Sequence, residues 1–164
     1  TKLLKNLGEV DNFTPQDENH LKNQLKSGFA TLYIADLETS QEDRTQTLPI
    51  AAALVYDYDD TRYYAHAATD FEHRKLAAGT ILLIQMILDA KASGKQIYDF
   101  WGITTSNDKA HPWYGFTQYK KSFGGRQVDY AGTYDLILSP AKYKSYHLLR
   151  HANRTLRKLR KKVS

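Results

Sequence analysis

The period of the hydrophobic positions changes several times along the chain, and each change marks an element. FTPQDENHLKNQLKSG, residues 13–28, opens on Thr14 as a cap and Pro15 at a first helical position and closes on Gly28, which predicts a helix. ATLYIADL (30–37) predicts a strand, and ETSQEDRTQT (38–47) a polar loop. LPIAAALVYDY (48–58) and RYYAHAAT (62–69), separated by Asp59, Asp60 and Thr61, predict a hairpin. HRKLAAGTILLIQMILDAKASG (73–94) is apolar on nearly all sides from Leu76 to Ala90, which predicts a buried helix stopped at Gly94.

QIYDFWGI (96–103) reads as another strand, and YGFTQYKKSFGG (114–125) as a short helix with Tyr114, Gln118 and Lys121 at helical spacing. Cations close that helix on its dipole, and the glycines supply positive φ. RQVDYAGTYDLILS (126–139) predicts a strand pair, or one strand bent at Gly132. A final helix is expected over 141–164, with a packed stripe at Tyr143, Tyr146, Leu149, Leu156 and Leu159 and a cationic face. The order α-β-β-β-α-β-α-β-α, with a hairpin before the buried helix, is that of an α/β acyltransferase domain of the GNAT type: a mixed, mostly antiparallel sheet flanked by helices. The expected division is a single GNAT-like domain over 1–140, and a basic helix over 141–164 packed on it or extending from it.

Composition narrows the classes. With 164 residues, 41% of them hydrophobic, the chain suits one soluble domain. It has no run of about 18 apolar residues and no long apolar segment near its start, so neither a membrane span nor a signal peptide is expected. The first residue is threonine, which suggests a fragment or a processed chain. Zero cysteines exclude a disulfide framework and thiolate metal sites and make a cytoplasmic location the expectation. The net charge of +5 is uneven: residues 136–164 hold nine cations and no acid, against 14 cations and 18 acids before them. Three roles suit that tail: a solvated helix, a surface for RNA phosphates, or an attachment to anionic lipid. His147 and His151 share a face but lack a third ligand, so no metal site is expected.

IYDFWGI, the YKKSFGG run and VDYAGTYDLILSPAKY together resemble the C-terminal half of the Fem family, aminoacyltransferases that extend the stem peptide of a peptidoglycan precursor from aminoacyl-tRNA. The resemblance runs from about Leu48 to the C-terminus. It implies a cytoplasmic transferase of two GNAT-like domains, with no metal or cofactor, whose partners are aminoacyl-tRNA and a nucleotide- or lipid-linked precursor. Peripheral contact with the inner membrane face is a further candidate, read from the basic tail rather than from the resemblance. Measured against the family, the first GNAT-like domain and the long helical arm of some members are absent, and Tyr119 stands where many members carry Phe.

The chemistry asks for little. Aminoacyl-tRNA is an activated ester, so transfer needs a positioned neutral amine and a cation or N–H donors where charge develops on the carbonyl oxygen. Lys120 is the candidate for that charge. Tyr119, Asp99, Trp101, Tyr114 and Phe116 are the candidate substrate wall, with Trp113 beside them, while Arg154, Arg157, Lys158, Arg160, Lys161 and Lys162 are candidates for tRNA contact. Two other functions compete. One is an acyl-CoA-dependent N-acyltransferase, against which RKLAAG places Ala77 where a phosphate-cradling loop carries glycine. The other is a non-catalytic RNA- or membrane-binding module with the same fold.

Overall fold

The structure is a computed structural model in which residues 17–41 and 44–163 are described. The chain divides into two compact units, Thr1–Gly124 and Gly125–Ser164.

In the first unit, helix α1 (Glu18–Lys26) is capped by Asp17, whose carboxylate accepts the N–H groups of Asn19 and His20. The expected start at Thr14 and Pro15 lies outside the described residues. The helix ends at Ser27, and Gly28 turns the chain at φ +81°. Strands β1 (Ala30–Gln41) and β2 (Arg44–Tyr58) form an antiparallel pair. The stretch 38–47, expected as a loop, therefore continues the ladder: Glu38 pairs with Thr47 and Thr39 with Gln46. Polar side chains on both strands hid it, since an edge ribbon in water needs no apolar face.

Strand β3 (Thr61–Thr69) completes the hairpin through Asp59, at φ 52°, and Asp60. Thr61 is the first strand residue rather than part of the turn. Ala51, Ala53 and Val55 alternate toward one face of β2. Ile50 joins them because the register slips between Ala35 and Asp36, where β2 carries an extra residue next to Pro49.

A 3-10 turn (Arg74–Leu76) leads into helix α2 (Ala78–Ala92), which ends at Ser93 with Gly94 at φ +79°. Ala78, Leu82, Leu83, Met86 and Ala90 are buried, the first four of them against the β2 face. Full burial of a side chain such as Leu83 contributes roughly 1.5–3 kcal/mol. The expectation of burial on nearly all sides fails, because the sheet covers one face only and Ile81, Ile84 and Leu88 are exposed. Strand β4 (Ile97–Asp99) adds parallel to β3, giving the order β1-β2-β3-β4. It is much shorter than QIYDFWGI suggested, because Trp101 takes φ +65°, which no strand accommodates. Helix α3 (Tyr114–Lys121) follows as expected, capped by Ser122 ahead of Gly124 and Gly125 at φ +79° and +88°.

In the second unit, residues 126–139 do not form the expected strands. Val128, Tyr130, Tyr134, Leu136 and Leu138 keep the alternation of a strand yet are exposed, and they have no ladder partner among the described residues. Helix α4 (Pro140–Val163) forms where the tail pattern predicted a helix, and the Tyr143 hydroxyl donates to Asp135 at 2.7 Å. The stripe expected to be packed is open at Tyr146 and Leu149, which are 58% and 65% exposed, while the side chains of Leu156 and Leu159 lie outside those described.

Candidate active site

Parallel pairing with β3 brings Asp99 opposite Tyr63 at the end of β4. The Asp99 carboxylate accepts the N–H of Trp101 at 2.6 Å, an Asx-type turn that holds Trp101 at positive φ and directs the chain out of the sheet. The consequence falls on the next residue. Lys120 Nζ, on the last turn of α3, donates to the carbonyl of Gly102 at 2.8 Å. Its ammonium also sits 5.1 Å from the centre of the Phe116 ring, one helical turn back, within cation–π range.

Three features of α3 fix this lysine. Thr117 is buried, and its Oγ1 accepts the N–H of Thr104 at 3.1 Å. Tyr119 and Phe123 pack against the core with their rings 5.2 Å apart, and the Tyr119 hydroxyl lies 3.5 Å from Thr80 Oγ1. Trp113 stacks obliquely on Phe116 at 5.4 Å. Partial burial draws the Lys120 pKa below the ordinary lysine value, and the charge of Asp99 pushes it part of the way back. The site therefore offers a half-buried cation on an apolar ring, with one N–H committed to a fixed carbonyl.

The sequence candidates are thus spread over several surfaces. Lys120, Asp99 and Phe116 come together, joined by Trp113. Tyr119 adjoins them through its ring in the core. Trp101 turns to the sheet, edge-on to Tyr56 at 6.0 Å and to Tyr63 at 5.9 Å, and half of its surface stays exposed. Tyr114 is half-buried at the start of α3, with its N–H on the carbonyl of His111. Arg154, Arg157, Lys158, Arg160, Lys161 and Lys162 ride on α4, and their side chains lie outside those described.

Several contributors escaped sequence reasoning. Gly102 acts through its carbonyl and Thr117 through burial, and neither leaves a mark in residue type. Arg62 is buried in β3, bidentate to Asp57 at 2.7 Å for both bonds, and donates to the Tyr33 hydroxyl and the Met86 carbonyl. Its position two residues from Tyr64, at the strand period of β3, was the available signal. Asp70, Glu72 and His73, between β3 and α2, place ligand atoms within 4.8 Å of one another, and the His73 ring bonds to Asp70 at 2.6 Å. At the start of α2, Ala77 holds φ 51° and its carbonyl receives the N–H groups of Thr80 and Ile81. The loop carries the Ala77 methyl group at this positive-φ position, and the Ala77 N–H is committed to the Arg74 carbonyl at 3.1 Å. A β-carbon on Gly79 would stand 2.7 Å from Thr69 Oγ1.

The FemAB family matches residues 2–151. The chain belongs to the FemAB family. Lipid II:glycine glycyltransferase of Staphylococcus epidermidis is 24% identical over 163 residues, covering 99% of this FemAB chain and 35% of that protein. Its namesake from Staphylococcus aureus is 26% identical over 129 residues, 79% of this chain and 30% of that protein. The chain thus spans about a third of these relatives. Among solved structures, the crystal structure of FemX superposes with a TM-score of 0.65 at 19% identity, covering 73% of this chain and 45% of FemX. A probable acetyltransferase superposes at 0.53 with 17% identity, over 84% of this chain and 87% of its own. These likenesses establish the GNAT-like α/β fold expected from the order of elements.

Proposed function

We propose that this FemAB chain is one acyltransferase-like domain of an aminoacyltransferase that moves an amino acid from aminoacyl-tRNA to the stem peptide of a peptidoglycan precursor. The observation that carries this reading is the Lys120 ammonium, fixed between the Gly102 carbonyl and the Phe116 ring within the YKKSFGG run. Transfer from an activated ester breaks the ester C–O bond and forms an amide. The acceptor amine loses a proton and the tRNA ribose hydroxyl leaves. A positioned cation stabilises the oxyanion of the tetrahedral intermediate, and no side-chain nucleophile is needed. Gly102 holds one N–H of Lys120, and the remaining donors serve a substrate oxygen.

The names of the relatives support the acceptor class, and the spare chemistry of the site supports the ester donor. Asp99 restrains the loop that carries Gly102, so it is a positioning residue. Acyl-CoA as donor is disfavoured by the Ala77 methyl group. The test is mass spectrometry of a lipid-linked precursor incubated with charged tRNA and a protein that carries this domain together with the remaining length of the relatives. A mass gain of one aminoacyl residue that needs the charged tRNA is expected. A gain that needs acyl-CoA instead, or none with a folded protein, would overturn the proposal.

A further inference from the structure

Helix α4 presents two unlike surfaces. Leu148 and Leu149 are 74% and 65% exposed, and helical spacing carries the same face through the positions of Ala152, Leu156 and Leu159, an arc of about 100°. Lys142, Lys144 and Arg150, all exposed, stand on the rest of the circumference among tyrosine and histidine. From residue 136 to the end there are nine cations and not one acid. Among the described residues no helix is long and apolar enough to cross a membrane.

RNA would engage the cations and leave the leucine face in water. A protein groove would take the leucines and leave nine cations without counter-charges. A single environment satisfies both faces: a bilayer surface with apolar chains below anionic headgroups. Apolar residues on one side, Lys and Arg on the other, and low overall hydropathy are the marks of a helix that lies in an interface rather than across it.

We propose that α4 is an interfacial helix that docks on an anionic phospholipid surface, with the Leu148–Leu149 face in the acyl boundary and Lys142, Lys144 and Arg150 at the phosphates. At about 1.5 Å per residue the helix is long enough to fix one orientation on the surface. It is independent of the transfer chemistry, so either proposal can fail alone.

The test uses the whole chain, without donor or precursor. It is sedimented with vesicles of phosphatidylcholine alone or of equal parts phosphatidylcholine and phosphatidylglycerol. Binding is expected to the anionic vesicles, weakened by salt, with little to the neutral ones. Replacing Lys142, Lys144 and Arg150 together by Gln should weaken binding about 100-fold, at roughly 5-fold per cation. Leu148→Glu with Leu149→Glu should abolish it while circular dichroism is unchanged. A second measurement needs no loss of binding: the indole emission of the Leu148→Trp variant should shift to the blue with anionic vesicles and be quenched by brominated acyl chains. Equal binding to neutral vesicles, or binding untouched by the glutamate substitutions together with an unshifted indole emission in the Leu148→Trp variant, would refute the proposal. So would tRNA binding that depends on the cations in a chain that ignores vesicles, or self-association that depends on the leucines.

Discussion

Lys120→Met removes one charge and keeps the apolar stem, so it separates a catalytic cation from a structural one. On the stability side the variant loses the bond to Gly102, worth about 1 kcal/mol, and the contact with Phe116, worth about 0.5 kcal/mol. It also relieves the cost of holding an ammonium half-buried, the cause of its lowered pKa. The net change should be about 1 kcal/mol or less, a melting shift of about 4 °C at most. On the catalytic side, losing one group that stabilises an oxyanion costs about 100-fold in rate, equivalent to about 2.7 kcal/mol.

The assay is single-turnover transfer in the longer protein described above, with Lys121→Met as the control because Lys121 is exposed one position further on. The pH dependence gives a second reading. The folded pKa of Lys120 lies below the unfolded one, so its charge is lost at a lower pH than that of an ordinary lysine. Transfer should therefore fall on the alkaline side, and Lys120→Arg should move that limb upward. Stability should rise with pH between the folded pKa and the unfolded value of about 10.4, and the methionine variant should lack this rise. Equal and small effects of the two methionine substitutions on rate would refute the catalytic role. Global unfolding by Lys120→Met would make the residue a structural partner of Gly102 and Asp99.

Other expectations follow from neighbouring contacts. Arg62→Met should cost about 3 kcal/mol, because it strands the Asp57 carboxylate against β2 and leaves the Tyr33 hydroxyl and Met86 carbonyl without their donor; chemical denaturation reads this directly. Arg62 holds the Asp57 pKa below the usual carboxylate range, so the stability of the pair is complete above about pH 4 and is lost as pH falls through the folded pKa; the Arg62→Met acid limb should be correspondingly shallower. Gly124→Ala and Gly125→Ala should each cost about 1 kcal/mol or more from positive φ alone, with no β-carbon contact involved, as thermal melts would show. Calorimetric titration with acetyl-CoA should give no saturable heat, and micromolar binding would reinstate the thioester donor that Ala77 argues against.

The elements best marked in the sequence are those whose stability is local. Helix α3 carries its own stop signal, and Gly124 and Gly125 take the positive φ that their type suggests. The β2–β3 hairpin is marked by Asp59 and Asp60. The failures concern backbone pairing between segments, which side-chain type does not report even where the partners are as near as Gln41 and Arg44. Nothing in TSQEDRTQ shows that β1 and β2 continue to pair there, since backbone hydrogen bonds are indifferent to polar side chains. Residues 126–139 have the composition of a strand, but a strand is completed by another strand's N–H and C=O groups. The opposite error occurs at α2, where apolar residues on all sides suggested full burial and a single sheet covers one side.

The candidate site divides along the same line. Lys120 was legible because charge, neighbouring aromatics and a motif coincide within the short YKKSFGG run. Its acceptor was not, because a carbonyl belongs to every residue and only the positive φ of Trp101, imposed by Asp99, turns that of Gly102 toward α3. Asp99 illustrates how residue type leaves a role open. A carboxylate in an apolar strand needs a partner, which makes it a candidate for the substrate wall, and in the structure it accepts the backbone N–H of Trp101. It acts on Lys120 through both the loop and its field, so Asp99→Asn should separate the two. The amide keeps a carbonyl oxygen for the Trp101 N–H, so the loop and the Gly102 contact persist, while the field that raises the Lys120 pKa is removed. The alkaline limb of transfer should then fall at lower pH with the maximal rate nearly unchanged. A collapse of the maximal rate with an unmoved limb would assign Asp99 to the substrate rather than to the loop.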